Sequence, residues 1–249
     1  MKPNVILSLH PMTKLLFVFF VGVSVFVIPH YAFAYAWFPM LTLLAWLAGP
    51  PALKEFLRLT VKALIVLLAI VFLMQLFFYP GETVLGEWWI FQWTQEGLLY
   101  GLQLTSKILA IGAAFLLFFR VTEIKDFVKA LEDRGMPPMG AYVVLSTLTI
   151  IPEMKRQMTT IMEAQKTRGV ETEGSLLIRI RAFIPILTPL ILSSIASTEE
   201  RAITLESRAF SAPVKKTSLH SLSAGPADRI VPVVLGLLLV ALIVWRVVS

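Results

Sequence analysis

Long apolar runs constrain this chain of 249 residues more than any other feature of its sequence. A transmembrane helix needs about 20 mostly apolar residues, within a range of roughly 17–25. Five runs come close to that length: Leu15 to Ile28, Ala32 to Ala48, Ala63 to Tyr79, Leu98 to Phe119 and Ile230 to Val248. Charged residues make up 15% of the chain, against about 25% in soluble domains. The sequence therefore predicts an all-α membrane protein with about five transmembrane helices.

Basic residues in the loops predict the orientation of these spans. Lys and Arg occur before the first span, between the second and third, and after the fourth, whereas segments 29–31 and 80–97 contain neither. Since cytoplasmic loops carry an excess of Lys and Arg, we expect the N-terminus inside and both of those segments outside. The second segment contains Trp88, Trp89 and Trp93, whose amphipathic rings suit the membrane interface. The fifth span then leaves the C-terminus outside.

Residues 120–229 carry most of the ionic groups, with 15 of the 22 basic and 12 of the 16 acidic residues. Apolar residues at helical spacing predict one long helix that ends at Gly169 and a second from about Leu176 to Phe210. We therefore expect three parts: a bundle of four spans over 1–119, long cytoplasmic or interfacial helices over 120–228, and a C-terminal transmembrane helix over 229–249.

The middle of the second long helix, residues 182–196, has two interpretations. It is mostly apolar, but it contains Pro185 and Pro189 and is shorter than a usual span. It either lies along the cytoplasmic interface or crosses the membrane as a sixth span. Its length favours the interface, as do the basic residues after it, Arg208, Lys215 and Lys216, which a crossing would move outside.

The two long helices end in similar tripeptides, Thr167-Arg168-Gly169 and Ser207-Arg208-Ala209. One interpretation is ordinary helix termination, because Arg complements the negative end of the helix dipole and Gly takes a left-handed cap. The other is docking, because small neighbours leave each guanidinium unobstructed and its rigid fork of donors binds carboxylates bidentately. Two such ends on the same side of the membrane favour a shared docking task.

These ends and three other stretches resemble the T component of energy-coupling factor (ECF) transporters, the transmembrane coupling subunit of a vitamin and metal importer family. Residues 9–15 are similar to the family's N-terminal opening, with His10 where Asp is commoner. Residues 96–107 resemble the start of its fourth span, and residues 122–138 resemble its first coupling helix and the following turn. The Arg tripeptides are similar to the family's Ala-Arg-Gly motifs, and they keep the Arg and the small flanks.

The resemblance implies that Arg168 and Arg208, with their small flanks, insert into grooves on two cytoplasmic P-loop ATPases, which form a homodimer or a heterodimer. ATP-driven movement would then pass through long coupling helices to a small hydrophobic S component, which captures the vitamin or metal ion. The implied location is the inner membrane, in contact with the lipid bilayer.

No motif of the chain itself points to catalysis. It lacks G-x-x-x-x-G-K-[ST] and G-x-S-x-G, so ATP and Mg²⁺ are expected on the partner ATPases. His10, His30 and His220 are far apart in sequence, so no metal site or other cofactor is expected. The positive charges orient the spans rather than bind nucleic acid. The alternative function is a self-contained secondary transporter, which would need ionisable groups in mid-membrane and usually internal repeats.

Two further features are candidates for contact with the S component. Lys107 lies inside the fourth span, where it either contacts a partner group or extends its ammonium into a watery crevice. Met154, Met158 and Met162 lie in the cytoplasmic segment. Their unbranched thioethers predict either an adaptable surface that slides during transport or ordinary core packing.

Overall fold

The computed structural model describes residues 5–88, 91–171, 173–213, 222 and 224–248. In these ranges the helices are α1 (Val5–Ser8), α2 (Pro11–Val27), α3 (Tyr31–Ala48), α4 (Pro50–Phe78), α5 (Gln95–Val121), α6 (Ile124–Glu132), α7 (Pro138–Thr167), α8 (Leu176–Ser207) and α9 (Pro226–Val248). A short antiparallel hairpin, β1 (Val84–Trp88) and β2 (Phe91–Thr94), joins α4 to α5. Apart from this hairpin, the predicted all-α fold is confirmed.

The helices confirm a multi-pass membrane protein but change which ones qualify as spans. Five described helices are long and apolar enough to cross a membrane, namely α3, α4, α5, α8 and α9. The predicted first span is α2, whose 17 residues extend about 26 Å, somewhat less than a hydrocarbon core of about 30 Å. The five predicted spans and the five qualifying helices therefore share α3, α4, α5 and α9, and they differ in α2 and α8.

The chain divides into two compact units, Met1–Ala130 with Ser221–Ser249, and Leu131–His220. The first contains the bundle helices, and the second contains α7 and α8. The unit boundaries fall at 130/131 and 220/221. The predicted domain boundaries at 119/120 and 228/229 stay a prediction.

Small residues on α5 allow close packing at the centre of the first unit. Ala110, Ala113 and Ala114 are almost completely buried there. A Cβ atom on Gly97 would lie 2.8 Å from the carbonyl oxygen of Gln75 on α4, so the two helix backbones come very near each other. Interfaces between membrane helices are built in this way, because small side chains let backbones approach.

A polar cluster joins α2, α5 and α9 at one end of the first unit. The Lys14 Nζ donates to the carbonyl oxygens of Leu7 at 3.0 Å and of Val121, the last residue of α5, at 3.2 Å. The backbone N–H of His10, the N-cap of α2, donates to Oδ1 of Asp228 in the first turn of α9 at 2.7 Å. The starts of α2 and α9 and the end of α5 therefore lie together.

This arrangement limits how often the chain crosses the membrane between α5 and α9. Since α5 ends and α9 begins at the same end of one bundle, the intervening chain must cross an even number of times. Of the described helices in that interval, α8 is long and apolar enough to span and α7 is not. A single crossing by α8 would start α9 on the wrong side. A crossing by residues 182–196 would therefore need a second crossing in the same interval, and their interfacial position stays a prediction.

The second unit is an antiparallel hairpin of α7 and α8. The Ser193 Oγ donates to Oε1 of Gln157 at 3.4 Å, and the Gln165 Nε2 donates to the carbonyl oxygen of Pro185 at 3.2 Å. A higher residue number on α7 thus pairs with a lower residue number on α8, so the two helices run antiparallel. The two predicted long helices are confirmed, and α7 begins earlier than its apolar pattern required, at Pro138.

Candidate docking site on the two long helices

A Schellman motif ends α7 and places Arg168 at its C-cap. The N–H of Gly169 donates to the Lys166 carbonyl at 3.0 Å, and the N–H of Val170 donates to the Gln165 carbonyl at 3.0 Å. Gly169 has φ 86°, a left-handed conformation that glycine adopts without a Cβ clash. Backbone hydrogen bonds therefore form this turn, and the Arg168 side chain takes no part in them.

The end of α8 has the same construction around Arg208. The N–H of Ala209 donates to the Glu206 carbonyl at 2.9 Å, and the N–H of Phe210 donates to the Leu205 carbonyl at 3.0 Å. Ala209 has φ 56°, the only positive φ of a non-glycine residue in the described part of the chain. A left-handed alanine costs about 1–2 kcal/mol, so its presence shows that the turn is imposed by the whole motif.

The residue before each arginine is folded back onto its own helix. The Thr167 Oγ1 donates to the carbonyl of Ala164 at 2.8 Å, and the Ser207 Oγ donates to the carbonyl of Thr204 at 2.9 Å. Both hydroxyls are thereby occupied, and neither competes for a ligand beside the guanidinium. All six residues of the two predicted tripeptides take equivalent places in two matching helix ends.

Both guanidinium groups are exposed and available. Arg168 and Arg208 are exposed, and neither side chain makes a hydrogen bond or ion pair with any described residue. Near the end of α7, the Glu173 carboxylate is held by the Lys166 Nζ at 2.7 Å. That hydrogen bond and the Lys166 charge lower the pKa of the Glu173 carboxyl. An acid near the first arginine is therefore already paired with a lysine of the same helix end.

The two arginines lie at opposite ends of the hairpin. Arg168 follows α7 at the turn that leads into α8, and Arg208 follows the far end of α8. At the far end, the rings of Tyr142, near the start of α7, and Phe210 lie 5.2 Å apart. A helix of 32 residues, the length of α8, extends about 48 Å at 1.5 Å per residue. The arrangement therefore suits two separate acceptors rather than one.

A third arginine occupies the same backbone position at the end of α6. There the N–H of Gly135 donates to the Glu132 carbonyl at 3.0 Å, and the N–H of Met136 donates to the Leu131 carbonyl at 3.1 Å. Arg134 is exposed at the C-cap of this turn, and Gly135 has φ 109°. The Arg-Gly dipeptide was visible in the sequence, but its neighbour is acidic Asp133 rather than a small neutral residue.

Lys107 lies at the middle of α5, half-buried, with its Nζ 5.5 Å from the centroid of the Phe26 ring on α2. A cation above an aromatic face is stabilised by the quadrupole of the ring. The Phe26 ring is itself 66% exposed. Lys107 therefore has an aromatic neighbour within the bundle while remaining near the surface of the first unit.

The three methionines are half-buried on α7. Met154 lines a groove of about 320 Å³ against α8, together with Ile191, Ser194, Ile195, Thr198 and Glu199. The groove shows that packing is incomplete between the two long helices at this point. The structure brings Met154 to α8, and a contact of the three methionines with another subunit stays a prediction.

The histidines act as helix caps where they are described. The Nδ1 atoms of His10 and His30 accept the backbone N–H groups of Met12 and Ala32, each at 3.3 Å, at the starts of α2 and α3. No group of three or more metal-ligating side chains occurs among the residues that the structure describes. His220, Lys215, Lys216 and Trp89 lie outside the described residues. Trp93 is described, and its ring packs 6.4 Å from that of Phe77.

Known proteins resemble the chain over nearly its whole length. The family model CbiQ, described as cobalt transport protein, matches residues 2–219, which include both arginine ends. The chain is 30% identical to the energy-coupling factor transporter transmembrane protein EcfT of Staphylococcus aureus, over 89% of this chain and 85% of that protein. It is 29% identical to EcfT of Brevibacillus brevis, over 95% and 92%. It is 26% identical to EcfT of Lactococcus lactis subsp. cremoris, over 99% and 95%.

Proposed function

Since the chain belongs to the family of CbiQ and EcfT transmembrane proteins, the T components of ECF transporters, we propose that it couples two cytoplasmic P-loop ATPases to a substrate-binding S component. ATP-driven motion of the ATPases reaches α7 and α8 through Arg168 and Arg208. The observation that carries this proposal is the pair of matched helix ends, each with an exposed guanidinium that forms no ion pair with a described residue. The transported substrate is a vitamin or a metal ion, selected by the S component.

The chemistry of the two ends supports docking on acidic groups. A guanidinium presents five N–H donors in a planar fork and stays charged at every physiological pH. A pair of carboxylate oxygens, or carboxylate and carbonyl oxygens at the rim of a groove, can accept those donors bidentately. Since backbone hydrogen bonds alone fix each C-cap, each arginine can leave or enter a partner without unfolding its helix.

The motifs that the sequence lacks indicate which subunit binds the nucleotide. Without a P-loop, the chain has no cradle for nucleotide phosphates, so ATP and Mg²⁺ bind to the partner subunits. The chain itself is non-catalytic and binds no cofactor. Its N-terminus and the α7–α8 hairpin are cytoplasmic. The C-terminus is outside, because α9 starts beside α2 and, like it, runs away from the polar cluster around Lys14 and Asp228.

Lys107 is the proposed contact with the S component inside the membrane. A cation near the middle of a span is costly unless it is paired, and its one aromatic neighbour, Phe26, is largely exposed. A polar or acidic side chain of the S component would complete its environment. The residues of α7 around Met154 supply the second proposed contact, through an adaptable groove against α8.

Affinity purification in mild detergent, followed by mass spectrometry, tests the proposed assembly. We expect two P-loop ATPases and a small hydrophobic protein to co-purify with the wild-type chain. The Lys107→Met variant should retain the ATPases and lose much of the small protein. A homo-oligomer without ATPases would reject the coupling function, and would favour a self-contained transporter.

Methionine flexibility in the α7–α8 groove is expected to matter for transport rather than for assembly. The triple change Met154→Leu, Met158→Leu and Met162→Leu conserves volume, and such swaps usually cost less than about 1.5 kcal/mol each. Leucine has fewer accessible conformations than methionine, so the groove should repack less readily. We expect transport into reconstituted vesicles to fall several-fold, and to fall more than the recovery of the other subunits. Met139→Leu, on an exposed site of the same helix, is the control. Unchanged transport in the triple variant would contradict the hypothesis.

A further inference from the structure

We infer that Gln165 is a positioning residue that joins the first arginine end to the proline-containing segment of α8. The inference rests on the proposed coupling function and adds a route by which motion at Arg168 reaches the other long helix. It begins with two hydrogen bonds to the Gln165 backbone and ends with one from its side chain. Each step involves residues of the second unit only.

Proline at position 189 creates an acceptor on α8. In a regular helix, the carbonyl of residue 185 would accept the N–H of residue 189, but proline has no N–H and its ring pushes that carbonyl away. The carbonyl of Pro185 therefore lacks its intrahelical donor. An unsatisfied carbonyl in a half-buried position costs free energy comparable to a lost hydrogen bond.

Gln165 supplies the missing donor from α7. Its Nε2 lies 3.2 Å from the Pro185 carbonyl oxygen, and its side chain is half-buried. At the same time, its own carbonyl accepts the N–H groups of Arg168 at 3.1 Å and Val170 at 3.0 Å. Gln165 thus bonds both to the turn that presents Arg168 and to the carbonyl that Pro189 leaves without a helical donor.

This double attachment has a mechanical consequence. When an ATPase displaces Arg168, the Schellman turn moves with the Gln165 backbone, and the side chain carries the force to Pro185. A proline-containing segment is where a helix changes direction most readily. Movement of the first docking end therefore changes the bend of α8, whose far end carries Arg208.

A double-mutant cycle tests the inference, because Pro189→Ala restores the N–H that Gln165 replaces. In the wild-type background, Gln165→Leu should lower substrate transported per ATP hydrolysed by about five-fold, which corresponds to the loss of one hydrogen bond. In the Pro189→Ala background, the same change should have an effect of less than about two-fold, because an internal donor now serves the Pro185 carbonyl. Gln165→Glu, which keeps the size but offers no donor when ionised, should behave like Gln165→Leu.

Gln157→Leu is the matched control. Gln157 lies on the same helix and also contacts α8, through the Ser193 hydroxyl at 3.4 Å, but it does not reach a carbonyl freed by proline. Its effect should be small and equal in both backgrounds. Equal effects of Gln165→Leu in both backgrounds, or normal coupling in Gln165→Leu, would overturn the inference.

Amide hydrogen exchange of the purified chain separates this inference from the proposed function. In the wild-type background, Gln165→Leu should speed amide exchange in residues 168–171 and in the part of α8 around Pro185. In the Pro189→Ala background, Gln165→Leu should change these exchange rates little. This readout requires no ATPase, so it holds even if no ATPase binds the chain. Exchange rates that Gln165→Leu leaves unchanged would refute the link itself.

Discussion

Replacement of both Arg168 and Arg208 with Ala should abolish stable association with the ATPases while leaving the chain folded in the membrane. Neither guanidinium makes a hydrogen bond or ion pair with a described residue, and both helix ends are closed by backbone hydrogen bonds, so little internal stability depends on them. Loss of one charge-assisted contact at an interface costs about 2 kcal/mol or more. The sites lie at opposite ends of α8, so their contributions should add to about a thousand-fold loss of affinity. Co-purification and vesicle transport measure the result.

Three variants sharpen this test. Arg134→Ala removes an arginine with the same backbone geometry, but the carboxylate of neighbouring Asp133 would repel an acidic partner surface, so ATPase recovery should stay normal. Arg168→Lys and Arg208→Lys keep the charge and lose the bidentate fork, so each should bind more weakly than wild type and better than Ala. Wild-type binding and transport in the double Ala variant would contradict the docking role.

The sequence was sufficient to predict the helical membrane fold and the positions of both arginine helix ends, because these features are local; their docking role stays a prediction. Gly169 and the apolar spacing before it indicate a helix end without any tertiary information. The left-handed conformation of Ala209 was not predictable from the backbone preference of alanine. Only the likeness of Ser207-Arg208-Ala209 to the first tripeptide indicated an equivalent turn. The sequence was less able to show which helices cross the membrane, because α8 meets the same criteria of length and composition as α3, α4, α5 and α9.

Contacts between distant residues explain what sequence reasoning missed. The bond between His10 and Asp228 joins positions 218 apart in the chain, and it is this bond that places the start of α9 beside the start of α2. No periodicity or composition contains that pairing. Likewise, Pro189 shows from sequence alone that a carbonyl is freed in α8, but nothing in the sequence identifies Gln165 as its donor. The polar groups that satisfy exposed backbone atoms come from the tertiary fold.

Loss of the Asp228 carboxylate should lower the stability of the bundle by several kcal/mol. Its two oxygens accept the N–H groups of His10 at 2.7 Å and Gly225 at 2.9 Å, so Asp228→Ala removes the acceptor that fastens the start of α9 to the start of α2. Hydrogen bonds to a charged group contribute about 1.5–3 kcal/mol each, so we expect a loss of about 3 kcal/mol and a Tm lower by several degrees in detergent.

The neighbouring Lys14→Met change isolates the other half of this polar cluster. The stem of Lys14 lines an apolar cavity of about 300 Å³, so methionine keeps its packing but cannot donate to the Leu7 and Val121 carbonyls. The end of α5 then has an unsatisfied carbonyl, and we expect a loss of about 1–3 kcal/mol. Thermal unfolding of the purified variants measures both changes, with Glu171→Ala, an exposed carboxylate outside the bundle, as the control. If Asp228→Ala and Lys14→Met unfold at the wild-type temperature, the cluster does not hold these three helix ends together.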